Sequence, residues 1–285
     1  VAQEFPDTFF AITNSDVKAA NVAGLDTKNE ESGYMAGYVA GTISKSKKVG
    51  YVGAMEIVAM KRAEEGFKLG AQAACPDCEV LVGYTGSFDD IAKGKETALA
   101  QIDNGADVVF QYADASGLGV LEAAKEKNVA AIGMGSDQSE LAPDNVVTST
   151  IQKLAPIIVS ITQEVQEGKF VSNQVRLYGY DTGAYDLAPL NSKLVTDEQA
   201  AKIQAVLDDM KAGKIELPHL TEQAEAATET EATAAPIKVA LVLPGVSSDA
   251  GWNASAYEGL TAAKDQLGVE IAYSESVPLA DFEAT

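Results

Sequence analysis

The residues that could do chemistry in this chain are aromatics and carboxylates placed just after short β-rich runs. Asp249, Trp252 and Asn253 follow the run 237–243 and open a helical pattern. Phe88 follows 79–83, Asp114 follows 108–112, Asp137 follows 130–133, Asp16 follows 8–13, and Lys153 follows Thr148-Ser149. In open α/β sheets, ligands sit beyond the carboxyl ends of the strands. An aromatic plane there offers stacking, and carboxylate, amide or ammonium groups offer hydrogen bonds to ring edges and hydroxyls. Such a set suits recognition of a small molecule. Each residue also has a plainer use: Asp249 as a helix cap, Trp252 as core packing, Phe88 as a staple on its own helix, Asp114 as a turn carboxylate beside Gly117, Lys153 as a surface charge. Asp16 is the weakest of the set.

Catalytic arrangements fare worse. The single histidine, His219, lies beside Pro218 and far in sequence from the strand ends, so a Ser-His-Asp arrangement is not expected. No Gly-x-Ser-x-Gly elbow and no Gly-Lys-Ser/Thr phosphate loop occurs. Asp89-Asp90 are adjacent at a helix start, where they point apart and favour the helix dipole. Gly117-Leu-Gly119 lacks the third glycine of a dinucleotide loop, because position 122 is Glu122. Cys75-Pro-Asp-Cys78 has no second cysteine pair to complete a zinc site, and it follows a helix instead of opening one. A local disulfide, free thiols and redox chemistry all stay open for it. No cofactor and no metal is expected.

The bulk numbers agree with a binding protein. At ~150 residues per domain, a chain of 285 residues makes about two domains. Hydrophobic residues at 46% can fill a core in each. A net charge of −21 repels phosphate backbones, which excludes nucleic acid as a partner. No apolar run reaches the ~18 residues of a membrane span.

Strands are expected at Thr8–Thr13, Val22–Leu25, Lys48–Val52, Glu79–Gly83, Val108–Tyr112, Ala130–Gly133, Val146–Ser149 and Gln174–Tyr178. Helices are expected at Glu31–Ser44, Ala59–Ala74, Asp89–Asn104, Leu118–Lys127, Leu154–Glu167 and Asp197–Ala212. The alternation predicts an α/β fold with helix-covered parallel sheets. It stops at 221–236, TEQAEAATETEATAAP, which reads as a flexible acidic linker. A fresh unit then begins: strand 237–243, helix Asn253–Leu267, strand Val269–Ser274. Both ends read as cut within structured elements, so a circularly permuted order is expected, with 237–285 as the natural beginning. A piece on the order of 25–30 residues, one helix and one strand, would be absent between Thr285 and Val1. Its loss would expose sheet edges in the first lobe. A tandem array with a truncated second copy is the alternative.

In that restored order the chain resembles the basic membrane protein family of ABC-importer binding proteins, the purine nucleoside receptor group. VALVLPGVSSDAGWNASAYEGL (239–260) is similar to the family's strand, "D-x-x-[FW]-N" loop and helix. NEESGYMAGYVAG (29–41), KVGYVGAMEI (48–57), EEGFKLGA (64–71), YTGSFDDIAKGKETA (84–98), the segment 105–143 and NVVTSTIQK (145–153) continue the match. No one motif is specific; their order and spacing are. The resemblance implies a type I periplasmic-binding-protein fold, two Rossmann-like lobes around a cleft. Lobe one would be 1–44, 149–174 and 237–285, and lobe two 45–145 and 176–220, with crossings near Ser44–Lys47, Asn145–Thr148 and Gln174–Arg176.

It further implies a monomer that closes by a hinge on a purine nucleoside or nucleobase and delivers it to an ABC permease. The alternatives are a sugar-binding relative and a nucleoside-processing enzyme. Phe88 would stack on the base, and Lys153 matches the family's cleft lysine. The family often has glycine at Asp114, and at Gly135 it has the first aspartate of Asp-x-Asp-Gln, of which Asp137 is the second. Family members are lipoproteins held outside the cytoplasm; a signal peptide or acylated cysteine is not read in this chain.

Overall fold

The computed structural model describes residues 2–221, 237–249 and 251–278. The expected linker lies outside them, apart from Thr221. Chain order runs β1 (Phe10–Thr13), β2 (Val22–Thr27), α1 (Asn29–Ile43), β3 (Lys48–Gly53), α2 (Val58–Ala74), β4 (Glu79–Tyr84), α3 (Ile91–Asp103), β5 (Val108–Tyr112) and α4 (Gly117–Lys127). It continues with β6 (Ala130–Gly135), β7 (Val146–Gln152), α5 (Ala155–Gln166), β8 (Val175–Tyr178), β9 (Tyr185–Leu187), α6 (Asp197–Lys211), β10 (Lys238–Val242), α7 (Trp252–Leu267) and β11 (Glu270–Ser274). Every expected element is present. The short strand β9 adds antiparallel to β7, which periodicity alone does not reveal.

Lobe two is one sheet in the order β4-β3-β5-β6-β7-β9. Its central strands β3 and β5 are buried and mostly apolar on both faces, as interior parallel strands are. On β3 and β5, Tyr51, Phe110 and Tyr112 turn to one face and join Phe67 of α2, Met35 of α1 and Ile203 of α6. Val52 and Val109 turn to the other and meet Ala98 of α3 and Val120 and Leu121 of α4. Helix α1 is buried almost all round because it lies between the sheet, α2 and α6.

Helices α1 and α2 touch backbone to backbone. Gly33, Gly37 and Gly41 face Ala63, Phe67 and Ala71, while Gly66 and Gly70 face the carbonyls of Glu30 and Tyr34. A Cβ at Gly37 or Gly70 would run into the opposing main chain. Only glycine permits this approach.

Lobe one consists of two parallel ribbons, β1-β2-β8 and β10-β11. They share one apolar cluster, with Leu25 and Leu243 against Leu154 just before α5, Ile157 of α5 and Ala256 of α7. Helices α5 and α7 pack on each other, so 237–278 is seated in this lobe. Among the described residues, β10 and β11 pair only with each other and β1 and β8 only with β2, leaving two unpaired edges on each ribbon. Ile12 on β1 and Tyr273 on β11 are 39% and 46% exposed.

The crossings differ from the expected ones. The glycine seam ties α1 to lobe two, so the first crossing is Lys28, not 44–47. Strand β7 pairs with β6 and β9 along its length to Gln152, so the second is Lys153, not 145–148. Strand β8 stays with β2 to Tyr178, which puts the third at 179–184, not 174–176. Alternating elements do not say which sheet a helix covers. The cysteine pair resolves as a Cys75–Cys78 disulfide just after α2.

The seam gives a direct test. Gly37→Val and Gly70→Val are each expected to lower stability by about 3 kcal/mol or more, because the backbones must part. Denaturant midpoints measure this, and an unchanged midpoint would mean that the helices do not meet there.

Candidate ligand-binding cleft

The loops beyond the carboxyl ends of β5 and β6 meet the loop before α7, between β10 and α7, and the crossings lie beside this meeting point. At the first crossing, Asn29 is a hub: its Nδ2 donates to Thr27 O (3.0 Å), and its Oδ1 accepts from Tyr112 OH (2.7 Å) and Tyr185 OH (3.0 Å). Lys28 pairs with Asp181 of the third crossing (3.0 Å) and with Glu31 (3.1 Å), whose other oxygen accepts from Tyr180 N (2.8 Å). Just before it, Asp26 of β2 is fully buried and pairs with buried Arg62 of α2. His219 closes this group, Nε2 on Asp26 Oδ2 (2.9 Å) and Nδ1 on Glu30 Oε1 (2.7 Å), while Arg62 Nε donates to the Leu220 carbonyl. The hydrogen bonds to Asp26 and Glu30 raise the His219 pKa to about 9.

The loop before α7 is built on two of the expected residues. Asp249 is 3% exposed and accepts from Gly251 N (2.8 Å), Asn253 N (3.2 Å), Asn253 Nδ2 (2.6 Å) and Ala254 N (2.9 Å). It therefore caps the first turn of α7. Asn253 is buried, and its Oδ1 accepts from Gly245 N (3.2 Å). Trp252 packs at the edge of the lobe-one cluster, and its indole Nε1 is buried with no hydrogen-bond partner.

Lobe two meets this loop at Asp114 and Gly135. Asp114 is buried, and its Oδ1 lies 3.4 Å from Trp252 N. Its φ of 48° is left-handed, which glycine adopts freely and aspartate tolerates. Burial and the charge of Asp249 push its carboxyl up to about 7, against the pull of the Trp252 N–H. Gly135 has φ 87°, and a Cβ there would sit 2.6 Å from Gly251 Cα. An aspartate at Gly135 would thus hold the lobes apart in this arrangement.

The remaining expected residues have other contacts. Phe88 is half-buried against the lobe-two core, and its carbonyl accepts from Ser116 N (2.9 Å), which keeps its turn beside Asp114. Asp137 is exposed and accepts from Ser139 N (3.0 Å). Lys153 pairs with Asp186 (2.8 Å), which also holds Lys211 (2.8 Å). Those ammonium groups outweigh burial and hold Asp186 at about 2. Asp16 lies in the loop after β1 with Oδ1 buried and unpartnered.

Sequence reading missed the supports. Gln111 Nε2 donates to Gln138 Oε1 (2.7 Å), which also accepts from Met134 N (3.2 Å), and Gln138 N donates to Ser149 Oγ (3.0 Å). The available signal was a polar residue inside an otherwise apolar strand, Gln111 in VVFQY and Asp26 in VAGLDT.

Two α/β lobes joined by three crossings give the chain the periplasmic-binding-protein fold. The chain belongs to the Bmp family, described as ABC transporter substrate-binding protein PnrA-like, which matches residues 1–221 and 237–285. It is 32% identical to the ABC transporter nucleoside-binding protein BmpA of Lactococcus lactis over 76% of this chain and 66% of that one. It is 28% identical to a purine-binding protein of Brucella abortus over 72% of this chain and 59% of that one. The chain thus spans less than two thirds of the length of these relatives. Among solved structures, it is similar to an ABC transporter solute-binding protein from Conexibacter woesei (TM-score 0.60, 27% identity, 78% of this chain and 75% of that one). A transcriptional activator of the comK gene from Bacillus halodurans matches with TM-score 0.66 and 29% identity, over 77% of this chain and 75% of that one.

His219 sets a pH dependence. Its folded pKa lies above the ordinary 6.5, so its contribution is complete below pH 6.5 and is lost as pH rises through about 9. With partial solvent screening this amounts to about 1–3 kcal/mol. Unfolding midpoints are expected to fall over that range in the parent protein. His219→Gln should flatten the fall, and a fall that survives the substitution would assign it to another group.

Proposed function

We propose that this protein is the substrate-binding component of an ABC importer, and that it captures a purine nucleoside or nucleobase between its lobes by hinge closure. The observation that carries the reading is the unpartnered, buried indole N–H of Trp252 beside Asp114, where the two lobes meet. A buried donor without an acceptor is unfavourable, and a ligand acceptor in the cleft relieves it. Phe88 in the adjoining turn supplies a second ring for stacking on a flat base. The names of the lactococcal and Brucella relatives support the same ligand class.

In this reading the ligand binds one lobe, bridges to the other and shifts the population toward the closed form, which the permease recognises. The hinge residues are Lys28, Lys153 and 179–184. Asp114, Asp249, Trp252 and Asn253 shape the ligand site, with Asp249 and Asn253 acting through the loop that aims Trp252. Asp16, Asp137 and Lys153 are placed to reach a ligand only if the cleft rearranges. The protein acts as a monomer outside the cytoplasm, where the Cys75–Cys78 disulfide persists. No helix among the described residues is long and apolar enough to cross a membrane.

Isothermal titration against inosine, guanosine, adenosine, adenine and ribose tests this. A nucleoside or base should bind at micromolar affinity or tighter, and Trp252→Ala and Phe88→Ala should each weaken binding about tenfold or more. Saturation by ribose alone would move the protein to the sugar-binding class. Silence across the panel from folded protein would reject the purine reading.

A further inference from the structure

Two carboxylates meet where the lobes touch, one from each side, and no Lys, Arg or His among the described residues pairs with either. Asp114 of lobe two and Asp249 of lobe one flank Gly251: a Cβ there would lie 3.2 Å from Asp114 Oδ1 and 3.7 Å from Asp249 Cγ. Both are buried, at 5% and 3% exposure. Like charges so placed, away from water, repel strongly.

The surroundings do not neutralise them. The loop before α7 carries Asp249, and β5 carries the phenol of Tyr112, whose ionisation Asp114 also opposes. The β4–α3 turn carries Asp89, which accepts from Ser87 Oγ, and Asp90, which caps α3. The loop after β6 carries Asp137, engaged with Ser139 N. Lys153 is held by Asp186. Among the described residues, neither Asp114 nor Asp249 has an ion-pair partner. Four N–H donors converge on Asp249, and one distant N–H reaches Asp114, so the proton of the pair belongs on Asp114.

We propose that Asp114 and Asp249 form a cross-cleft acid pair that links closure of the lobes to uptake of one proton and selects against anionic ligands. When the lobes part, water enters and Asp114 ionises; when they close, it takes a proton back. A phosphorylated ligand would add a third negative charge at the contact, while a neutral ligand enters with the proton in place. The selection against anions rests on the reading of this cleft as the ligand site; the link to closure does not.

Trp252, the only tryptophan, reports on the contact directly. Its fluorescence in ligand-free protein is expected to show a transition near pH 7, with the radius of gyration from small-angle scattering larger at pH 8.5 than at pH 6. Asp114→Asn keeps a residue type that tolerates positive φ and should remove both changes, as should Asp114→Gly, while His219→Gln retains them. In titrations with inosine, affinity should fall as pH rises from the ordinary carboxylate range to about 7 and level off above it, with proton uptake per ligand largest within that window; Asp114→Asn should show neither. A flat parent profile, or a profile that Asp114→Asn leaves in place, overturns the proposal. Absence of nucleoside binding, with the ligand-free transition present and removed by Asp114→Asn, rejects the nucleoside reading and leaves the acid pair supported.

Discussion

A carboxylate buried at the end of β2 sets the terms for this fold. Asp26 is wholly inside the protein, where an unpaired negative charge would cost several kcal/mol. Arg62 comes from a lobe-two helix and His219 from the segment after α6, so pairing Asp26 draws three distant parts of the chain to one point. The pair adds little net stability against an apolar replacement, but removing one partner would leave the other stranded. Its effect is one of placement. With Asp26 fixed, Thr27, Lys28 and Asn29 have one route into α1, and Asn29 reaches both Tyr112 and Tyr185.

That placement decides which strand ends look at each other. The loop before α7 rests on Asp249 and Asn253, and the opposing turns rest on Gln111, Gln138 and Ser149. These polar groups are satisfied within the protein and hold backbone. Trp252 Nε1 has no partner and Asp114 accepts one long N–H, so at this contact the least satisfied polar groups are these two.

Much of this was legible in the sequence. Apolar runs such as VVFQY and the Asn-Gly and Gly ends of helices mark the elements, and their alternation gives the α/β class. Lobe boundaries were not legible, because the choice of sheet for α1 is made by five glycines meeting α2, a contact between segments whose pairing no local pattern states. The role of Asp249 was half legible: Asp-x-x-Trp-Asn at a strand end signals a site, while four converging N–H donors turn the carboxylate toward its own helix. Gly135 stands where the resemblance implies an aspartate, and the structure makes it the place where the two main chains pass. His219 could not be read at all, since its partners Asp26 and Glu30 lie about 190 residues away in sequence.

The glycine seam bears on how the molecule can move. Helices separated by a layer of side chains can slide as rotamers change, and the motion dissipates in the packing. Helices α1 and α2 have no such layer between them, so shear along their axes meets main chain at once. Lobe two is in that sense stiff along the α1–α2 seam. Enlarging any one of the five positions would push the two main chains apart along the seam.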